Sequence, residues 1–284
     1  MSISSKLVYL YFKWQKRYSK EYWEETIKNT TTPQVPPKPK KLEYRLSDNV
    51  YYFNENSSSD TLMFYIHGGA YVNTFTKYHF RLIRKIIKMT DIKVVSPNYD
   101  LIPFSNAQKM TDFLVKTYLK VIEEKNYKKI IFMGDSAGAA LCLTTYLTLL
   151  KMNKRIPDRS FLLSPCVDVS LSNPLTYEYA KVDPWLYLDR INTCANFFVG
   201  DLSKKDYVVS PTYGDVEKLE NLTIFLGTKE ILYPDITDFY DKLDKTKNNE
   251  LIIKKNMIHV YPLLPIKEAK EALKYIASEI KKIN

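Results

Sequence analysis

Glycine is scarce in this chain, with seven in 284 residues. Five of the seven fall in three short motifs: Gly68 and Gly69, Gly134 and Gly138, and Gly227. Glycine tolerates left-handed dihedrals and close backbone approach, so so few of them mark places where nothing else fits. Cysteine is as rare. Cys142, Cys166 and Cys194 are odd in number and lack C-x-x-C spacing, which argues against a disulfide framework and for reduced thiols in a cytosolic setting. Long apolar runs are missing too. None approaches the roughly 20 residues that a transmembrane helix needs, and the apolar stretch 7–12 is short with no small-residue cleavage site after it. These absences lead to the expectation of a soluble, cytoplasmic protein.

Hydrophobic residues make up 45% of the chain, with 23 Tyr and 13 Phe, enough for a large core and little disorder. The length suits one large α/β domain or two small ones. The net charge of +10 raises nucleic acid or an anionic membrane as partners. Much of the excess is local: residues 1–45 hold ten Lys/Arg and four Glu, a net of +6, which leaves +4 for the rest. No zinc-finger spacing or similar signature accompanies the charge, so nucleic acid is not expected.

Residues 5–28 read as a helix, with Leu7, Tyr11, Trp14, Tyr18 and Tyr22 at helical spacing on one face. Lys13, Lys16, Arg17 and Lys20 fall largely elsewhere. Such a helix could cover a pocket as a lid or lie on a membrane surface. The proline-rich run 32–39 ends it and acts as a stiff connector. Residues 1–45 are therefore expected to form an N-terminal cap helix and connector, and 46–284 the main domain.

Strand signals follow at 42–46 and 50–53, a hairpin around Ser47-Asp48-Asn49, and then at 61–66, 92–96, 129–133, 160–164, 221–226 and 250–255. Helices are expected between several of them: one with Leu82, Ile83, Ile86 and Ile87 inward, one opened by Ser105, one over 139–152, and a closing one over about 266–280. Strands alternating with helices predict a mostly parallel eight-stranded α/β sheet covered on both faces. Residues 168–209 break the rhythm with Tyr177, Tyr179, Trp185, Tyr187, Phe197 and Phe198, an aromatic-rich insertion that is a cap candidate.

The motif Gly134-Asp135-Ser136-Ala137-Gly138 follows an apolar strand and precedes an Ala/Leu-rich helix. That context predicts a sharp turn that exposes the Ser136 hydroxyl at the helix N-terminus. At the end of the strand before lies His67-Gly68-Gly69-Ala70, whose Gly68 and Gly69 N–H groups, with that of Ala137, could surround a negative oxygen. A nucleophilic serine needs a base. Of three histidines, His67 belongs to the donor loop, His79 sits in a polar helix start and is expected to be exposed, and His259 remains, between the last strand and last helix. The orienting carboxylate should follow the penultimate strand. Glu230 is the choice, with Asp235 and Asp168 as competitors.

These motifs together resemble the hormone-sensitive-lipase-like esterases of the α/β-hydrolase fold. The resemblance runs over about residues 60–282 through His67-Gly68-Gly69-Ala70-Tyr71, Ser96-Pro97-Asn98-Tyr99, Gly134-Asp135-Ser136-Ala137-Gly138-Ala139, Ser164-Pro165, Ser210-Pro211, Gly227-Thr228-Lys229-Glu230-Ile231-Leu232 and His259-Val260-Tyr261. It implies Ser136 as nucleophile, Glu230 as acid, His259 as base, and Gly68, Gly69 and Ala137 as oxyanion donors. It also implies a cap built from the N-terminal segment and the 168–209 insertion. Ala70 stands where many members have a third glycine, and Glu230 where aspartate is common. The expected activity is hydrolysis of small, short- to medium-chain acyl esters without metal or organic cofactor. Amide or N-acetyl hydrolysis, or ligand binding without catalysis, are the other readings. A membrane contact through the N-terminal helix and a homodimer stay open.

Overall fold

A computed structural model describes residues 1–15 and 20–284 of the chain. Its centre is one eight-stranded sheet: β1 (Tyr44–Ser47), β2 (Val50–Phe53), β3 (Thr61–Ile66), β4 (Lys93–Pro97), β5 (Lys129–Asp135), β6 (Arg159–Leu163), β7 (Leu222–Lys229) and β8 (Glu250–Ile258). The spatial order is β1-β2-β4-β3-β5-β6-β7-β8. The first two strands run antiparallel to their neighbours and the remainder are parallel. The β1–β2 hairpin turns through Asp48 and Asn49, both with positive φ, as a tight two-residue connection demands. β3, β4 and β6 are buried along their whole length. A strand covered on both faces has no reason to alternate apolar and polar residues.

Helices cover the two faces. On one lie α4 (Ala107–Glu124), α5 (Ala137–Lys151) and α8 (Tyr233–Lys242), packed with Phe64, Phe132 and Ile224. On the other lie α3 (Lys77–Thr90) and α9 (Lys267–Ile283), packed with Met63, Ile131 and Phe161. α3 starts with a capping box in which Thr76 accepts from the helix and His79 accepts from the Thr76 N–H. α4 is capped by Asn106, whose side chain accepts from Lys109, so it begins one residue beyond the expected Ser105. α8 has no counterpart in the sequence reading.

Over the carboxyl ends of the strands lie α6 (Leu175–Val182) and α7 (Leu188–Phe198), with two helices from the N-terminal segment, α1 (Ile3–Gln15) and α2 (Lys20–Lys28). The expected helix 5–28 is thus described in two parts, and Lys16, Arg17 and Tyr18 lie outside the described residues. The described part of the N-terminal stripe faces outward: Leu7, Tyr11 and Trp14 are exposed, while Val8, Tyr9 and Phe12 pack against the body.

Candidate active site

Ser136 stands at the junction of β5 and α5 with φ 52° and ψ −121°. That sharp reversal leaves no room for side chains at the two flanking glycines. A Cβ on Gly134 would come within 2.7 Å of the Gly138 backbone, and one on Gly138 would collide with the Ile66 and His67 carbonyls. The Ser136 N–H donates to the Leu163 carbonyl at 2.8 Å, which ties the turn to the neighbouring strand.

The Ser136 hydroxyl lies 2.8 Å from His259 Nε2, and His259 Nδ1 lies 2.7 Å from Glu230 Oε2. Since the carboxylate accepts only, Nδ1 carries the proton and Nε2 accepts from the serine. Glu230 follows β7 and His259 follows β8, so three strand ends converge on one point. β8 runs to Ile258, three residues past the expected end, with Asn256 in a left-handed conformation and a register shift against β7. This irregularity brings His259 to the sheet's end and not into a free turn. The other Glu230 oxygen accepts from Ser164 Oγ at 2.9 Å and from the Gly227 N–H at 2.7 Å. Ser164 in turn accepts from the Val260 N–H at 3.1 Å, next to His259.

The two competing carboxylates make other contacts. Asp168 accepts from Ser170, Ser172 and Tyr213. Asp235, on α8, is buried and shares a pocket with Asp168 and Asp238. Burial, helped by those two neighbouring charges, pushes its carboxyl up to about 7. Neither of the two bonds to His259.

The loop after β3 departs from expectation at one position. The Gly68 N–H donates to Asp135 Oδ1 at 3.1 Å and so is engaged within the protein. Gly69, Ala70 and Tyr71 all have positive φ, and Ala70, with Ala137, lines the cavity beside Ser136. Successive N–H groups in such a turn form a concave anion-binding nest. Asp135 also accepts from Tyr65 OH at 2.6 Å and faces His79 Nε2 at 3.3 Å. Burial pushes its carboxyl up, but His79 and the bonds from Tyr65 and Gly68 outweigh that and leave it below its ordinary value. His79, expected to be exposed, is therefore buried beneath the site. Its partner lies 56 positions further along the chain, beyond any local pattern. His67 donates Nδ1–H to the Gly68 carbonyl and stacks on Tyr99. Burial, then the neighbouring His79, lowers its pKa to about 3, so it is neutral.

Above Ser136 is an apolar cavity of 40 Å³ walled by Tyr71, Cys166, Val169, Leu186, Cys194 and Leu232. The indole of Trp185 meets His259 edge-on, 5.8 Å between centroids, and stacks on Phe12 of α1 at 4.0 Å. Asp183, for which no sequence motif signals a role, seats this roof. It accepts from the N–H groups of Trp185 at 2.7 Å and Leu186 at 2.9 Å, and from that of Ile231 at 2.8 Å, the residue after Glu230. Burial pushes its carboxyl up, against the pull of His259 and these three N–H groups. The Asp183-Pro184-Trp185 run, a turn-forming pair before an aromatic, was its only trace in the sequence.

A family model described as the alpha/beta hydrolase fold matches residues 63–263. The chain belongs to the α/β-hydrolase family. Among the curated proteins, this α/β-hydrolase is 28% identical over 191 residues to an esterase of Acinetobacter venetianus, over 66% of this chain and 63% of that one. It is 24% identical over 147 residues to mouse hormone-sensitive lipase, over 50% of this chain and 19% of that enzyme. The chain thus matches less than two thirds of the length of these curated relatives. Among solved structures, a candidate esterase from Staphylococcus aureus superposes with a TM-score of 0.80 at 27% identity, covering 91% of this chain and 90% of that one. The hormone-sensitive-lipase homologue EstE7 from a metagenome library gives 0.84 at 22% identity over 100% and 99%, a likeness of fold.

Proposed function

We propose that this α/β-hydrolase is a serine carboxylester hydrolase that works through an acyl-enzyme. The observation that carries the reading is the row from Ser136 Oγ through His259 to Glu230, at 2.8 and 2.7 Å. His259 Nε2 takes the proton as Ser136 Oγ attacks the ester carbonyl carbon. Glu230 holds the Nδ1–H tautomer and stabilises the imidazolium that forms. The tetrahedral oxyanion is met by backbone N–H groups of Gly69, Ala70 and Ala137; Gly68 drops out because its N–H is engaged by Asp135. Such donors contribute about 3 kcal/mol each to the transition state. Collapse expels the alcohol with the proton from His259 and leaves an ester on Ser136. Water, deprotonated by the same imidazole, then releases the acid and restores the serine.

The acyl group sits in the apolar cavity. At 40 Å³ it is far below the roughly 150 Å³ that accommodates a benzene ring, so acetyl to butyryl chains are the best substrates. The three cysteines are free and buried, which supports a cytoplasmic setting.

The test is labelling with a fluorophosphonate and mapping of the adduct. One adduct on Ser136, lost in Ser136→Ala, is the expected result. Wild-type protein that takes no label would turn the reading to a binding protein on this scaffold. Turnover of p-nitrophenyl esters should peak at the short acyl chains, and a peak on acetyl anilides would instead make the protein an amidase.

A further inference from the structure

The outward face of α1 carries the densest run of exposed large apolar side chains among the described residues. Ile3, Leu7, Leu10, Tyr11 and Trp14 are 80%, 64%, 59%, 53% and 62% exposed. They recur at three- and four-residue steps, so they form one stripe about 20 Å long. Part of the inward face is polar: Ser2 and Ser5 donate to the Glu268 carboxylate on α9. The helix therefore packs Val8, Tyr9 and Phe12 inward together with Ser5 and still leaves a second, larger apolar stripe outside. An exposed patch of this kind marks an interaction surface.

Charge selects what it meets. Residues 1–20 carry Lys6, Lys13, Lys16, Arg17 and Lys20 and no acidic residue. Lys6 and Lys13 are exposed on α1 itself, and Lys229 lies against the Tyr9 ring at 4.9 Å. A second copy bound through the same patch would bring like charges together, since a two-fold interface sets a surface against itself. An apolar stripe with Trp and Tyr, flanked by lysines, is instead matched to the boundary between headgroups and acyl chains of an anionic bilayer. No helix among the described residues is long and apolar enough to cross a membrane, so the helix would lie on the surface.

We propose that the outward face of α1 docks this protein on an anionic lipid surface. Docked there, the site lies directly behind the helix, because Phe12 on its inner side stacks on Trp185, which meets His259. The protein would then draw short-chain esters that partition into lipid. Only this last consequence rests on the esterase reading.

The experiment is co-sedimentation of the full chain with vesicles of phosphatidylcholine alone or mixed with phosphatidylglycerol. Retention on the mixed vesicles should exceed that on the neutral ones at least about tenfold and fall with added salt. The double variant Leu7→Glu/Trp14→Glu should lose it by about tenfold or more. Leu46→Glu, exposed on β1, should keep it. All three proteins should hydrolyse soluble p-nitrophenyl acetate alike. No retention on either vesicle, equal retention by the double variant, or a concentration-dependent dimer that the double variant dissolves would each overturn the proposal. Retention without ester hydrolysis would leave docking standing and remove the esterase reading; hydrolysis without retention does the reverse.

Discussion

The floor and the roof of the site are built on different principles. In the floor, Ser136, Glu230, His259 and the loop after β3 hang from the ends of buried parallel strands, and the polar atoms of the Ser136, His259 and Glu230 side chains are bonded to one another or to Ser164 and Gly227. In the roof many contacts are between rings: Phe12 of α1 stacks on Trp185, the Arg190 guanidinium of α7 lies over Trp23 of α2, and Phe198 of α7 stacks on Tyr71 of the loop after β3. Ser2 and Ser5 tie the N-terminal segment to α9 by hydrogen bonds. Ring contacts have preferred but shallow geometries and tolerate small displacements, whereas a hydrogen-bonded network weakens steeply with misalignment. On the esterase reading the difference separates two tasks: bond-making needs sub-ångström placement, and substrate admission needs a wall that can give.

Substitutions can break or sharpen that contrast. The largest effect belongs to the floor. Glu230→Gln should lower kcat on p-nitrophenyl acetate about 10⁴-fold, because an amide no longer holds the imidazole tautomer. Asp235→Asn should stay within about threefold on the same assay; equal losses would shift the acid role to α8. Asp183 sits where the two regions join. Asp183→Asn loosens the seat of Trp185 and should raise KM about tenfold with kcat within about threefold. A fall in kcat larger than the rise in KM would make Asp183 part of the floor.

The third effect is on stability. The Asp235 carboxyl titrates near 7 in the folded protein, above its ordinary 3.8. The protonated acid therefore contributes its full stability below about pH 4, and this is lost as pH rises through 7. Asp235→Asn should leave Tm unchanged at pH 4 and raise it at pH 8 by about 4 °C, measured by thermal denaturation at both pH values. The smallest change is expected on the roof's outer surface. Leu10→Ser should alter unfolding free energy by less than about 0.5 kcal/mol in urea titrations.

Much of this was legible in the chain itself, and the failures follow a pattern. β2 and β3 fall on their expected residues because short apolar runs bounded by Asp, Asn and Ser have one sensible reading. Ser136 was readable because its motif directly follows a strand, His259 because only three histidines compete, and Glu230 from its place after the penultimate strand, although β7 and β8 run three residues further than expected. α8 was missed. It spans only ten residues, carries Pro234 in its first turn and three aspartates, and buries just Ile236 and Phe239 as large apolar groups. Three turns with two anchors do not raise a period above noise. The N-terminal stripe was legible as a shared face, but periodicity does not say which way a face points; of its described residues, Leu7, Tyr11, Trp14 and Tyr22 are exposed. His79 and Gly68 failed together, since both are decided by Asp135, a long-range partner that no window of sequence contains.

The crowding around Glu230 has one more consequence. One of its oxygens is held by Ser164 and Gly227 before any ester arrives, and Ser164 also grips the backbone beside His259. Dipoles that are already aligned need not turn when charge appears on the ring. The alignment is achieved once, as the polypeptide folds; on the esterase reading it is not repeated with every molecule cleaved.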